Sequence, residues 1–296
     1  MNQKHLVQKV QEIATFADLF QVTFNQNKSP YQDMDSDWLQ ALQFFLHGYA
    51  FERQGRSPEY SSAGVEAVKR AVLTKDKIPD SEFPFRAWSE FLTILRLSTS
   101  KGANPTNNPL LPRNSSSKQS VTSLVTELKN YQYNLVGYLI DLLNQGKVKT
   151  AHQFLCRIRG TGNKINSLFL RDITLMYGIS KNQDNVLLQP VDIWIRRLVR
   201  VLMGFSADVS RDSLDEYSED TKIAQTVIFL CRKADVSPLA FNQGAWMFGA
   251  RIAGTKTRLI QYVEDSLSPR DAINQRAKML QEELVALHDM SQKFKC

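Results

Sequence analysis

The chain has 296 residues, enough for one large domain or two intimate ones and enough to bury a core without staples. Apolar residues make up 43% and charged ones 23%, the balance of a folded globular chain, and no apolar run approaches the roughly 18 residues a bilayer span needs. With 37 Lys and Arg against 30 Asp and Glu the formal charge is +7, which permits nucleic acid as a partner without demanding it. The three cysteines, Cys156, Cys231 and Cys296, include no close pair, which excludes a disulfide framework and a four-thiolate metal or iron–sulfur site. The start, MNQKHLVQKVQEI, is too polar and too periodic for a signal peptide, so no membrane partner and a cytoplasmic, nucleoid-associated location in a prokaryote are expected.

In chain order, Leu6, Val10, Ile13, Ala17 and Phe20 form a first helical stripe. A break at Gln26 to Asp37 leads to a helix over Trp38 to Phe51, with further breaks at Arg53 to Ser62 and Lys75 to Pro84. Ser98 to Ser120, dense in Gly, Pro, Asn and Ser, is longer than a usual connection and reads as a mobile loop or a segment that orders on a partner. Leu124, Leu128, Leu135, Leu139 and Leu142 make a second stripe; Ile273, Ala277, Leu280, Leu284 and Leu287 make a third. Hairpin dipeptides are absent, so the expected fold class is all-α.

Common signatures fail. Gly249 to Thr257 resembles a phosphate-binding loop, but its lysine falls one place late and no strand pattern precedes it. His5, His47, His152 and His288 lack metal-ligand spacing, and no G-x-S-x-G elbow exists. What remains is Phe154 to Leu202. Its first part predicts a helix ending near Ile158, a tight turn at Gly160-Thr161-Gly162, and a helix burying Ile165, Leu168, Phe169, Ile173 and Met176 up to Gly178. Two glycines let backbone approach a partner closely, and first-turn amides attract phosphate; a plain core hairpin is the competing reading. Further on, Gln189-Pro190-Val191-Asp192 precedes a helix with Trp194, Ile195, Leu198 and Leu202 inward, placing Asp192 near its N-cap. The helix from Lys164 to Tyr177 is roughly 20 Å long and the loop after it extends to roughly 40 Å, enough to return Asp192 beside Lys164.

Gly160-Thr161-Gly162-Asn163-Lys164 followed by Pro190-Val191-Asp192 resembles the hairpin and catalytic aspartate of the helix-hairpin-helix DNA glycosylase superfamily, in its lysine-bearing type without an iron–sulfur cluster, closest to the 8-oxoguanine glycosylases. The lysine-to-aspartate separation exceeds that of endonuclease III, and that branch's cluster cysteines are missing. The resemblance implies two helical subdomains flanking a DNA-binding cleft: a middle bundle at 39–190 that includes the hairpin at about 151–178, and a second subdomain of 1–38 with 191–296. It implies excision of a flipped-out base, oxidised purine first, by a monomer acting on double-stranded DNA. Lys164 would attack C1′ and form a Schiff base that leads to β-elimination, its nucleophilicity aided by a helix dipole and by burial; Asp192 would stabilise charge on the deoxyribose or help deprotonate the lysine. The plainer alternative is a phosphate-contacting lysine and a capping aspartate.

By the same resemblance, Gly160, Thr161, Gly162 and Asn163 contact DNA, and Gln54 or Arg56 fills the hole left by the flipped base. Gln243, Trp246 and Met247 line the base pocket. Backbone carbonyls of Cys156, Ile158 and Thr161 would hold a structural monovalent cation, with no other cofactor required. Arg157, Arg159, Lys181, Arg196, Arg197 and Arg200 are phosphate candidates, some of them solvated instead. Three other readings stand beside this one: a non-catalytic hairpin protein binding DNA structure, a glycosylase acting on hypermodified viral bases, and an all-α assembly subunit meeting protein or RNA.

Overall fold

Apolar residues spaced three and four apart, with Ser, Asn, Asp and Thr at the helix starts, give a chain that is helical throughout its ordered elements. The computed structural model describes residues 2–28, 30–51, 58–72, 78–96, 107–112, 118–208 and 216–293. Among them there is no strand, only an isolated parallel bridge between Gln119 and Ile158. The chain is mostly helical, and it divides into two compact units, 1–22 with 191–296, and 23–190.

Unit 23–190 holds α3 (Trp38–Phe45), α4 (Pro58–Ala71), α5 (Phe83–Ile94), α6 (Val121–Glu127), α7 (Leu135–Asn144), α8 (Val148–Cys156) and α9 (Asn163–Met176). Asp37 starts α3 by accepting from the amides of Leu39 and Gln40, which would otherwise have no partner in the first turn. A π-helical turn, Leu46–Phe51, follows α3 and turns Tyr49 onto Phe169 of α9, with ring centroids 4.7 Å apart; Phe45 meets the same ring at 4.9 Å. Residues 23–38, placed by the resemblance in the other subdomain, cluster here. Tyr31 is buried against Phe44 and His47, and the Met34 carbonyl accepts from Asn134, so burial ties the segment to this core.

The second apolar stripe is split between α6 and α7. A 3₁₀ turn, Lys129–Tyr131, is followed by Gln132 and Tyr133 at φ 51° and 63°. Leu128 and Leu135 are seven residues apart, so the interruption keeps helical phase and hides from a periodicity reading. Asn134 then caps α7.

The other unit holds α1 (Gln3–Thr15), the first part of α2 (Ala17–Lys28), α10 (Ile193–Leu202), α11 (Glu216–Ala234), α12 (Pro238–Met247), α13 (Lys256–Val263) and α14 (Pro269–Lys293). Val10 and Ile13 of α1 are buried where that helix packs on α11 and α12. A second π-helical turn, Phe248–Ala253, contains Gly249, where an added Cβ would lie 2.9 Å from the Cβ of Trp194; the glycine admits α10 at close range. This packing accounts for the Gly249 to Thr257 stretch without any phosphate.

Candidate functional site

The Phe154 to Leu202 stretch begins with α8 and α9, which pack as a tight helical hairpin. The turn closes through Arg157 and Ile158, whose amides donate to Phe154 and Leu155, and passes Gly160 at φ 77°, a conformation that calls for glycine. Thr161 is buried and its hydroxyl donates to the Leu155 and Ile158 carbonyls at 3.2 and 3.1 Å. Gly162 is different. Its backbone is extended, an added Cβ would meet nothing within 4 Å, and it begins α9 without a side-chain cap. Neither conformation nor packing within the protein calls for glycine there.

Asn163 and Lys164 open α9 on its exposed side. Burial, one of the two effects expected to make Lys164 nucleophilic, is therefore lacking. No carboxylate among the described residues forms an ion pair with Lys164. Asn163 lies 3.7 Å from the Cys156 thiol, which also meets His152 at 3.5 Å and Asn166 at 3.3 Å. Those four side chains join the end of α8 to the start of α9. Burial lowers the pKa of His152, so the imidazole inside this join is neutral. The sequence reading gave Cys156 only a backbone role, and its spacing of four from His152 was the available signal.

A second support comes from residues 118–120, the described end of the long Ser98 to Ser120 break. The Gln119 amide donates to the Arg157 carbonyl and the Arg159 amide donates to the Gln119 carbonyl, both at 2.8 Å. Beside them the Lys118 ammonium donates to the Thr161 carbonyl at 2.8 Å. This bears on the monovalent cation implied at the carbonyls of Cys156, Ile158 and Thr161. The Thr161 carbonyl receives this ammonium and the Ile158 carbonyl a hydroxyl, so two of the three nominated carbonyls already have a donor from the chain itself.

Asp192 belongs to the other unit and caps α10. Its Oδ1 accepts from the amides of Trp194 and Ile195, each at 2.9 Å, and no described donor reaches Oδ2. Lys164 and Asp192 thus each stand at a helix start, one in each unit.

Other nominated residues divide by burial. Gln243 is buried and accepts from Gln21 at 2.7 Å, and Met247 is buried too. Both are core residues of their unit as it stands. Trp246 is half-buried, edge-on to Phe20 and beneath Arg251. Gln54 and Arg56 lie outside the described residues. Among the phosphate candidates, Arg159 is buried with its guanidinium on the Lys118 carbonyl, a structural position. Arg157 pairs with Glu127, Arg196 with Asp220 and Arg200 with Glu219; Arg197 lies over Trp194, and Lys181 is exposed.

No family model matches the chain, and no solved structure matches it. Over 72 residues it is 39% identical to an uncharacterised protein of Methanocaldococcus jannaschii, a match covering 24% of this chain and 17% of that protein. No helix among the described residues is long and apolar enough to cross a membrane.

Proposed function

We propose that this protein is a DNA glycosylase with AP lyase activity, acting on double-stranded DNA that carries a modified base, oxidised purine first. The observation that carries the reading is the start of α9. The N-terminus of α9 has no side-chain cap, no described residue packs where a Gly162 side chain would lie, and the first turn bears an exposed lysine with no ion-pair partner among the described residues. Open amides attract a phosphate, the missing side chain lets backbone approach it, and the lysine is within reach of the adjoining sugar. The resemblance of Gly160 to Lys164 and Pro190 to Asp192 to the helix-hairpin-helix glycosylases supplies the reaction.

In that reaction the Lys164 amine, freed of its proton, attacks C1′ as the bond to the base breaks and the base departs with the electron pair. The C1′–O4′ bond then breaks as O4′ takes a proton from the attacking nitrogen, and the ring-opened sugar is an iminium on Lys164. Loss of a C2′ proton expels the 3′ phosphate and nicks the strand. Asp192 is held rigidly by two amides through Oδ1, which leaves Oδ2 to face positive charge developing on the sugar.

The test is borohydride trapping on a panel of duplexes, each with one modified base. A covalent adduct is expected with the wild type and none with Lys164→Ala, which should still bind DNA. Binding without base release across the panel would favour a non-catalytic hairpin protein, the reading in which the bonds to Asp192 are only a helix cap.

A further inference from the structure

The last helix, α14, presents an apolar seam that no other described residues cover. In α14, Ile273, Ala277, Leu280, Leu284 and Leu287 follow one another at spacings of four and three, the a and d positions of a heptad pattern. The first turns are anchored: Ala272 is buried, and the helix packs against α13 and the π-helical turn Phe248–Ala253. Beyond Arg276 every side chain described is exposed. Ile273 and Leu280 are 44% and 43% exposed, Leu284 and Leu287 66% and 64%. An ordinary surface helix turns such a stripe toward its own core.

We propose that this seam pairs with the same seam of a second copy of the chain, as an antiparallel two-helix coiled coil centred on the Ala277 and Leu280 layers. The choice of a second copy and of this register follows from side-chain complementarity. With Ala277 opposite Leu280, Ile273 falls opposite Leu284, and each central layer sets one small residue against one large. The flanking positions then match: Arg276 of one copy faces Glu283 of the other, twice by symmetry, and Asn274 faces Gln281. Arg276 and Glu283 share one edge of the helix, where they lie 3.5 Å apart within a single chain.

Competing arrangements fit less well. A parallel pair would stack Ala277 on Ala277, leaving a gap in the core, and would set Arg276 against the uncharged Gln281. Sliding the antiparallel pair by one heptad layer would bring Glu283 against Glu283. The helix has 25 residues, about three and a half heptads, and the apolar seam covers its middle, so the association is concentration-dependent rather than permanent. This departs from the monomer implied by the glycosylase resemblance and does not depend on that resemblance.

Sedimentation velocity of the full chain over a concentration series reaching hundreds of micromolar tests it. The wild-type mass should rise from one chain toward two. Leu284→Glu with Leu287→Glu should stay at one chain throughout, with an unchanged thermal midpoint because both side chains are exposed. Arg276→Glu should weaken pairing about tenfold by setting like charges opposite, and adding Glu283→Arg should restore it. A wild type that remains one chain, a dimer that survives the leucine substitutions, or a failed charge-swap rescue would overturn the proposal.

Discussion

The ammonium of Lys118 donates to the carbonyl oxygen of Thr161 at 2.8 Å, tying the end of the long polar segment to the turn between α8 and α9. Arg159 donates to the Lys118 carbonyl, and the backbone of Gln119 bonds to both sides of the turn, so the bonds act as one clasp. A cation carried on the chain, the Lys118 ammonium, stabilises the Thr161 carbonyl. Thermal unfolding should therefore be the same in potassium, sodium or a bulky organic cation at matched ionic strength. Lys118→Met should lower stability by about 1.5 kcal/mol, the low end of the range for a hydrogen bond to a charged group, because the site is only half-buried. A wild-type midpoint that depends on the identity of the cation would show that an ion shares the turn.

Asp192 has a structural and a proposed chemical role, and two substitutions separate them. Asparagine caps a helix about as well as aspartate, so Asp192→Asn should retain the bonds to Trp194 and Ile195 and unfold within about 0.5 kcal/mol of the wild type. Asp192→Ala should lose about 1 kcal/mol with the cap. Base release from a cleaved substrate should fall in both variants. Undiminished excision in Asp192→Asn would leave the carboxylate only its capping role.

Inside α9, Arg171 and Asp172 are both buried and ion-paired at 2.7 Å, with the Tyr49 hydroxyl donating to the other carboxylate oxygen at 3.0 Å. Removing one member strands the other's charge. Asp172→Ala should cost about 3–5 kcal/mol in urea unfolding, whereas replacing both by similarly sized apolar residues, Arg171→Met with Asp172→Leu, should cost far less. Tyr49→Phe, which removes one hydrogen bond, should cost about 1 kcal/mol. Equal losses for the single and double substitutions would show that the two charges do not act as a pair.

Periodicity and capping residues made the helical class, the helices α8 and α9 as separate elements and the cap at Asp192 readable in advance. Periodicity does not record what covers a face. The Ile273 to Leu287 stripe reads like the Val10 to Phe20 stripe, yet one stays in solvent and the other is buried. Nor does it register an interruption that keeps phase, as at Gln132 and Tyr133. Lys118 was hidden for another reason: it lies in a segment whose composition reads as loop, and it acts through a side chain on a distant backbone carbonyl. At Gln243, a polar residue nominated as a base reader, composition gave no sign that its side-chain oxygen accepts from the half-buried Gln21 amide.

His152 gives the chain a pH dependence of stability near neutrality. Burial holds the folded-state pKa below the ordinary 6.5, so as pH falls through that value the unfolded chain takes up a proton that the folded chain refuses. The unfolded state then binds more protons, and stability falls as pH drops below about 6.5 toward the folded value. The lowered carboxylates do not confuse this window. Asp80, Asp208 and Asp265, held down first by hydrogen bonds from Arg86, Lys256 and Lys9, lose their contributions as pH falls below the ordinary 3.8, and Glu12, lowered against its burial by hydrogen bonds from Gln8, Lys9 and Tyr262, as pH falls below the ordinary 4.5. Urea midpoints measured from pH 7.5 to 5.5 should therefore decline for the wild type and flatten in His152→Gln. An equally steep decline in that variant would assign the dependence to another group.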